Sequence, residues 1–245
     1  MIPKIIHYCW FGNNSKPEVA LKCIETWKKY FPGWKIIEWN EDNYDMGANQ
    51  YLIDAYEAKR WAFVSDIARL DILYQYGGIY LDIDVEFLKP LPEKYLEYEG
   101  ILGFEYTHTI APGLIMGVEK QNLFVKKILD SYIGERFYVN KDGWYKTINT
   151  RITDELVKDG LIKDNTFQVV DGFHIFPSEY FCGYNTDVRE PEITENTICW
   201  HHYLSSWSNS SFKMRFQNIL KKLIGVNNYK KLLNIKRTIA GAREK

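Results

Sequence analysis

At 245 residues the chain has room for one substantial α/β domain, or two small ones, with a core able to hold a deep cleft. Hydrophobic residues at 46% and charged residues at 26% are ordinary for a globular protein and exclude a mainly disordered chain. The net charge of −1 gives the whole molecule no field that would gather nucleic acid. The four cysteines, Cys9, Cys23, Cys182 and Cys199, form no C-x-x-C pair, so reduced thiols are expected rather than a zinc site or a disulfide framework. Lys4 and His7 interrupt the only apolar stretch near the N-terminus, which argues against a signal peptide. No uncharged run approaches the roughly 18 residues needed to cross a bilayer, and the expected location is the cytoplasm.

Lys4 to Trp10 is a β-branched and aromatic run ending at Gly12-Asn13-Asn14, which predicts a buried first strand followed by a loop. Glu18 to Tyr30 places Leu21, Ile24 and Trp27 at helical spacing and stops at Phe31-Pro32-Gly33. Trp34 to Trp39 is the next predicted strand, giving a parallel strand–helix–strand unit whose ligands sit beyond the carboxyl ends of the strands. Residues 52–75 read as helix with a break near Trp61, closed by Gly77-Gly78. Ile79 to Phe87 reads as one strand. Shorter strands are expected at Gly100–Phe104, Gly113–Val118 and Thr197–Tyr203, and a helix at Asn122–Ser131. From Phe212 onward, ten Lys or Arg stand against the single acid Glu244, interleaved with apolar residues at helical spacing. Residues 1–211 are therefore expected to form the main domain, and 212–245 a basic amphipathic helical tail.

The chemistry concentrates at Tyr80-Leu81-Asp82-Ile83-Asp84. Alternation along a strand puts Tyr80, Asp82 and Asp84 on one face, with the carboxylates about 6.6 Å apart. That spacing predicts one direct ligand to a small cation, Asp84, while Asp82 takes a ribose or a metal-bound water. Carboxylate oxygens of this kind suit Mn²⁺ or Mg²⁺, which bridges a diphosphate and offsets charge on a leaving group. Upstream, Asp66 and Arg69 are three apart on a helix that is otherwise apolar, so the pair is expected to point into a cleft.

The run Ser65-Asp66-Ile67-Ala68-Arg69, then Leu73, then Gly77 to Asp84 resembles the sugar-binding DXD region of glycosyltransferase family 32, and is similar to the glucosyltransferase domain of large clostridial toxins. Ile2 to Gly12 at the start and His201-His202-Tyr203-Leu204-Ser205-Ser206-Trp207 near the end extend the resemblance over nearly the whole catalytic domain. It implies an α/β fold of the GT-A type, Rossmann-like with a mixed central sheet, a nucleotide-diphosphate sugar donor, a divalent metal, and transfer with retention of configuration. Asp66, Arg69, Asp82 and Asp84 are the implied catalytic residues. Trp10 would stack on the nucleobase, and Ser65, Asp66, Arg69, Tyr80, Asp82, Ser206 and Trp207 would hold the rest of the donor. The implied metal ligands are Asp84 with one of His201 and His202, which point to opposite sides of a strand, His201 being preferred. The Thr-Gly-Pro turn that family members often carry is missing, the nearest segment being Thr147 to Arg151. No motif supplies a catalytic nucleophile, which leaves same-face substitution, the leaving phosphate itself assisting the acceptor.

The function expected is transfer of a hexose, galactose or glucose from a UDP-sugar ahead of mannose from a GDP-sugar, to a surface polysaccharide or lipid-linked oligosaccharide. A toxin-like protein glycosyltransferase and a non-catalytic carbohydrate-binding protein are the alternatives. The basic tail suits the anionic inner leaflet of a membrane, where a lipid-linked acceptor waits.

Overall fold

A computed structural model of the chain describes residues 1–47, 49–106, 108–138, 146–186 and 188–204, together with 225, 226, 228 and 229. The tail expected at 212–245, its boundary at 211, and Ser206 and Trp207 fall outside the described residues, apart from those four isolated positions. In chain order the elements are β1 (Ile5–Cys9), α1 (Glu18–Tyr30), β2 (Lys35–Trp39), α2 (Gln50–Glu57), α3 (Trp61–Tyr76), β3 (Gly78–Tyr80), β4 (Val85–Phe87), a 3₁₀ turn (Glu93–Glu97), β5 (Gly100–Gly103) and β6 (Met116–Val118). They continue with α4 (Leu123–Asp130), α5 (Ile148–Lys158), β7 (Gln168–Val170), β8 (Phe173–Phe176), α6 (Ser178–Phe181), β9 (Tyr184–Asn185), β10 (Glu190–Pro191) and β11 (Cys199–His201).

A seven-stranded sheet in the order β2-β1-β3-β6-β5-β8-β7 forms the centre. Strands β1, β2 and β3 run parallel, as do β5 and β8, while β6 and β7 run against their neighbours. The expected α/β class with a mixed central sheet is thus present. Alternation along the strands divides the core: Ile6, Tyr8, Ile79 and Ile101 pack on one side with Ile24 and Trp27 of α1. Cys9, Tyr80 and Leu102 pack on the other, with Leu52 of α2, Leu70 of α3, Val125 of α4 and Ile152 of α5. Among the described residues no helix is long and apolar enough to cross a membrane. All four cysteines are free and buried.

Helix α1 forms because Ala20, Cys23, Ile24 and Trp27 repeat on one stripe, and Trp27 anchors it by donating its indole N–H to the Val85 carbonyl at 2.8 Å. Asn49, Asn122 and Thr147 cap α2, α4 and α5 by accepting a backbone N–H three residues on. Gly77 ends α3 at φ 64°, and a Cβ there would lie 2.6 Å from the Lys120 nitrogen, so only glycine serves.

The strand expected at Ile79–Phe87 is interrupted. Tyr80 ends β3, the residues Leu81 to Asp84 turn, and β4 leaves the main sheet to pair with β11. Competition between two sheets explains it: β3 finds partners on both sides, whereas among the described residues β4 pairs with the returning chain at 199–201 alone. The helix expected over 52–75 starts earlier, at Gln50, and divides at 58–60, where Lys59 has φ 54°.

His7 ties β1 to the end of α3. Its Nδ1 accepts from the Trp39 indole at 3.1 Å, so Nε2 carries the proton and donates to the Gly77 carbonyl at 2.9 Å. Burial pushes its pKa down to about 4. Between pH 6.5 and 4 the unfolded chain takes up a proton that the folded one refuses, so this stability is whole above the unfolded value and falls as pH drops. The shift corresponds to roughly 3 kcal/mol by pH 4. Urea midpoints from pH 7 to 4 are expected to fall more steeply for the wild type than for His7→Gln, the two curves converging in acid; parallel curves would clear His7 of the effect.

Candidate active site

The parallel strands all end on one edge of the sheet. Trp10 follows β1, Asn40 and Glu41 follow β2, and Asp82 follows β3 by two residues. Ligands collect at such an edge because loops, not packed helices, close it. Gly113 enters from the chain before β6, its carbonyl accepting the Asp82 N–H at 2.8 Å. The turn is pinned further on, where the Val85 N–H reaches back to the Asp82 carbonyl at 3.1 Å.

Arg69 is the hub. Its Nη2 lies 3.3 Å from Asp66 Oδ1 on its own helix and 3.1 Å from Asp82 Oδ1 on the turn, and its guanidinium sits 4.5 Å over the Tyr80 ring. Asp66 and Arg69 are buried, and α3 is buried on nearly all sides there, so the pair faces inward as its spacing suggests. Burial pushes the Asp66 carboxyl up to about 6, partly countered by Arg69 and by the Ile148 amide. Burial also works against the charge of Arg69, but Asp82 foremost outweighs it and the pKa stays raised.

Asp84 meets His201. Their Oδ1 and Nε2 are 2.9 Å apart, and the same Nε2 is 3.9 Å from Asp82 Oδ2. Burial opposes the charge on Asp84, yet His201 and the Leu204 amide, which donates to Oδ2 at 2.9 Å, hold its pKa down to about 2. Burial alone would lower the pKa of His201; Asp84 outweighs it and raises it. The flat-strand spacing of 6.6 Å does not apply, because the turn brings both carboxylates to one imidazole. His202 points away: its Nε2 lies 2.8 Å from Glu86 Oε2, which also accepts from the Trp200 indole at 3.0 Å.

Two other sequence candidates turn their side chains to backbone partners, although the Ser65 carbonyl accepts from Arg69 Nε at 3.3 Å. The Ser65 hydroxyl donates to the Trp61 carbonyl at 3.0 Å within α3, and the Trp10 indole donates to the Asn14 carbonyl at 2.7 Å. A cleft of about 470 Å³ opens beside the loop after Trp10, lined by Gly12, Asn13, Asn14, Tyr56, Glu57, Lys59 and Trp61 rather than by Asp82 and Asp84. Gly12 is required there, since a Cβ would lie 2.7 Å from the Trp61 ring.

The donor set fits a hard divalent cation. Cation–oxygen distances of about 2.0–2.1 Å put adjacent donors about 3 Å apart, close to the 2.9 Å between Asp84 and His201. Among the described residues no three His, Cys, Asp or Glu side chains stand preformed as a metal centre. The reason is local: Asp84 and His201 satisfy one another and Asp82 turns toward Arg69. An ion held here would take its other ligands from diphosphate and water, which is the usual habit of Mg²⁺.

Residues 17–101 match the family described as glycosyltransferase sugar-binding region containing DXD motif, a stretch that includes Ser65, Asp66, Arg69, Tyr80, Asp82 and Asp84. Inositol phosphoceramide mannosyltransferase 1 of Schizosaccharomyces pombe is 30% identical over 37% of this chain, which spans only 30% of that relative's length. An uncharacterized glycosyltransferase, L373, of Acanthamoeba polyphaga mimivirus is 27% identical over 85% of this chain and 84% of its own. The galactosyltransferase LgtC, solved with donor and acceptor sugar analogs, aligns with 93% of this chain and 94% of its own at 12% identity, with a TM-score of 0.46.

Sequence reasoning missed two contributors to the DXD region. Gly113 has no side chain because Asp82 occupies the space, a Cβ there lying 2.0 Å from Asp82 Oδ2. Pro112-Gly113 before a strand was the available signal. The Ile148 amide, in the first turn of α5, comes from the segment noted only for lacking Thr-Gly-Pro. Gly113→Ala pushes on the free end of a side chain, not on backbone, so the fold is expected to hold with Tm within about 4 °C. Displacing Asp82 from Arg69 is expected to weaken Mn²⁺–UDP binding, read by calorimetry, about tenfold or more.

Proposed function

We propose that the protein is a metal-dependent glycosyltransferase that moves a hexose from a nucleotide-diphosphate sugar to a saccharide acceptor. The observation that carries it is the convergence of Asp82, Asp84 and His201 beside the buried Arg69 at the carboxyl edge of the sheet. Mn²⁺ or Mg²⁺ bound there supplies charge neutralisation for the departing diphosphate. The chain's own residues do the rest of the positioning. Asp84, ionised well below neutral pH, is ready to ligate, and His201 offers Nε2 once its proton is displaced. Arg69 and Asp66 together present a donor fork and an acceptor to sugar hydroxyls, while Trp10 and Ser65, with Ser206 and Trp207, take the nucleotide and diphosphate.

A UDP-linked galactose or glucose is the donor favoured, transferred with retention into a surface polysaccharide or a lipid-linked oligosaccharide. GDP-mannose stays in the comparison because the fission-yeast relative is named a mannosyltransferase. The basic segment beyond Phe212 suits peripheral attachment to the inner, anionic face of a membrane. Flotation with phosphatidylserine vesicles is expected for the full chain and not for a chain ending at 211; equal flotation removes the membrane role.

The decisive assay is release of nucleotide from UDP-glucose, UDP-galactose and GDP-mannose with and without Mn²⁺. Activity is expected with at least one donor, lost on chelation, and lowered roughly a hundredfold or more by Asp84→Asn in a protein with an unchanged circular-dichroism spectrum. Full activity of Asp84→Asn would end this reading.

A further inference from the structure

Helix α5 reaches both carboxylates that share Arg69. At its start the Ile148 N–H donates to the buried Asp66. Five residues on, the Thr153 hydroxyl accepts the Ile110 amide at 2.9 Å, and Ile110 opens the run that carries Gly113. That run is pinned further: the Ala111 N–H donates to the Gly103 carbonyl and the Leu114 N–H to the Ala111 carbonyl, each at 3.1 Å. Asp82 rests on it, donating its N–H to the Gly113 carbonyl at 2.8 Å, and a Cβ on Gly113 would lie 2.0 Å from Asp82 Oδ2. A shift of α5 is therefore felt at Asp66 through one bond and at Asp82 through a short pinned loop.

A buried charge fixes the helix. Arg151, in the first turn, lies 4.0 Å over the Tyr132 ring and forks onto Glu135, Nη1 meeting Oε1 at 3.2 Å and Nη2 meeting Oε2. Its Nη1 also reaches the Ser131 carbonyl, just past the end of α4, at 3.4 Å. Lys127 and Glu155, 2.6 Å apart, tie the same two helices nearer the surface. Ile148, Ile152 and Leu156 already give α5 an apolar stripe. A buried ion pair adds little stability that an apolar side chain would not supply, whereas a planar fork on a ring admits one geometry. That geometry is imposed on the turn whose amide meets Asp66.

Burial pushes the Asp66 carboxyl up to about 6; Arg69, the Ile148 amide and Arg151 pull against the rise and Asp82 adds to it. Cys9 of β1 and Tyr132 also face Asp66 and are neutral, because burial pushes their pKa values up. Losing the Ile148 bond would move Asp66 higher and leave less carboxylate near neutral pH.

We propose that Arg151 and Thr153 are positioning residues of the donor site: Arg151 locks the first turn of α5, and the helix so fixed keeps the Ile148 amide on Asp66 and the Gly113 loop against Asp82. The proposal rests on the donor reading of Asp66, Arg69 and Asp82.

The test uses the full chain. Arg151→Lys keeps the charge but can neither fork onto Glu135 nor lie flat on Tyr132; should it fail to fold, Glu135→Ala loosens the same lock from its half-exposed end. The midpoint of the Asp66 carboxyl, read by carbon-13 NMR, is expected to rise by roughly one pH unit. Hydrolysis of UDP-glucose, UDP-galactose or GDP-mannose in Mn²⁺ is then expected to lose about fivefold in kcat/KM at pH 6 and hardly anything at pH 8. Thr153→Val, which keeps the shape and orphans the Ile110 amide, is expected to weaken Mn²⁺–UDP binding about fivefold, and Thr153→Ser to restore it within about twofold. Thr153→Val is expected to add little where Gly113→Ala has already moved Asp82. An unmoved Asp66 midpoint in the folded variant, a loss of rate equal at both pH values, or wild-type binding by Thr153→Val overturns the positioning role while leaving the donor reading standing. A wild type that neither binds Mn²⁺–UDP nor hydrolyses any of the three donors overturns the donor reading and this inference with it.

Discussion

Arg69 is the constraint on which the arrangement depends, because one buried cation is shared by two carboxylates that arrive from different elements. Asp66 comes from the same helix and Asp82 from the turn after β3, and among the described residues neither has another charged partner as close. Removing such a cation would leave the buried Asp66 carboxylate uncompensated, a change of the kind that costs about 3–5 kcal/mol, and would take from the half-exposed Asp82 its nearest partner. The surroundings follow from that demand. Helix α3 is buried on nearly every side, the Tyr80 ring supports the guanidinium, and the Ile148 amide at the start of α5 gives Asp66 one more donor. The helix that looks apolar in sequence is apolar so that it can carry this pair inward.

The second constraint is the change of sheet at Leu81 to Asp84. Had β3 continued straight, Asp82 and Asp84 would lie along a strand and His201 would have nothing to meet. The turn works because β11 returns to pair with β4, setting Val85 opposite His201 and Glu86 opposite Trp200. On the outer face of that small sheet Glu86 accepts from both Trp200 and His202, whose rings lie 3.9 Å apart. The clamp fixes the register of β11, and with period two along a strand a fixed His202 sends His201 to the opposite, inner face. The two adjacent histidines thus divide the work: one faces the carboxylates and the other keeps it there.

Much of the first hundred residues was legible because local signals and tertiary demands agree. Helix α1 runs from Glu18 to Tyr30 as its apolar spacing says, and the glycines at 77 and 78 close α3 where a left-handed residue is needed. The strand through Ile79–Phe87 was misread because β-branched alternation reports only that a segment can be extended. Which sheet it joins depends on residues 199–201, far along the chain. Helix α5 was passed over for a related reason: its buried stripe includes Arg151 and Thr153, which look exposed on paper. In the fold Arg151 pairs with Glu135 over the Tyr132 ring, and the Thr153 hydroxyl accepts the Ile110 amide at 2.9 Å. Polar residues that find partners across long separations erase the periodicity that a single segment would show.

The same contrast divides the site into a recognisable half and an unmarked one. The family match ends at residue 101, having covered Asp66, Arg69, Asp82 and Asp84. Gly113, the first turn of α5 and His201 all lie beyond it, joined to Asp82, Asp66 and Asp84 respectively. Diphosphate and cation are common to many donors, so the side chains that hold them recur as a short motif on rigid elements. The segments that join the motif from further along the chain carry no such shared pattern, and loops among them accept substitution at little cost in stability. A site built this way shows its charged half in a few adjacent residues and gathers the other half only through the sheet register.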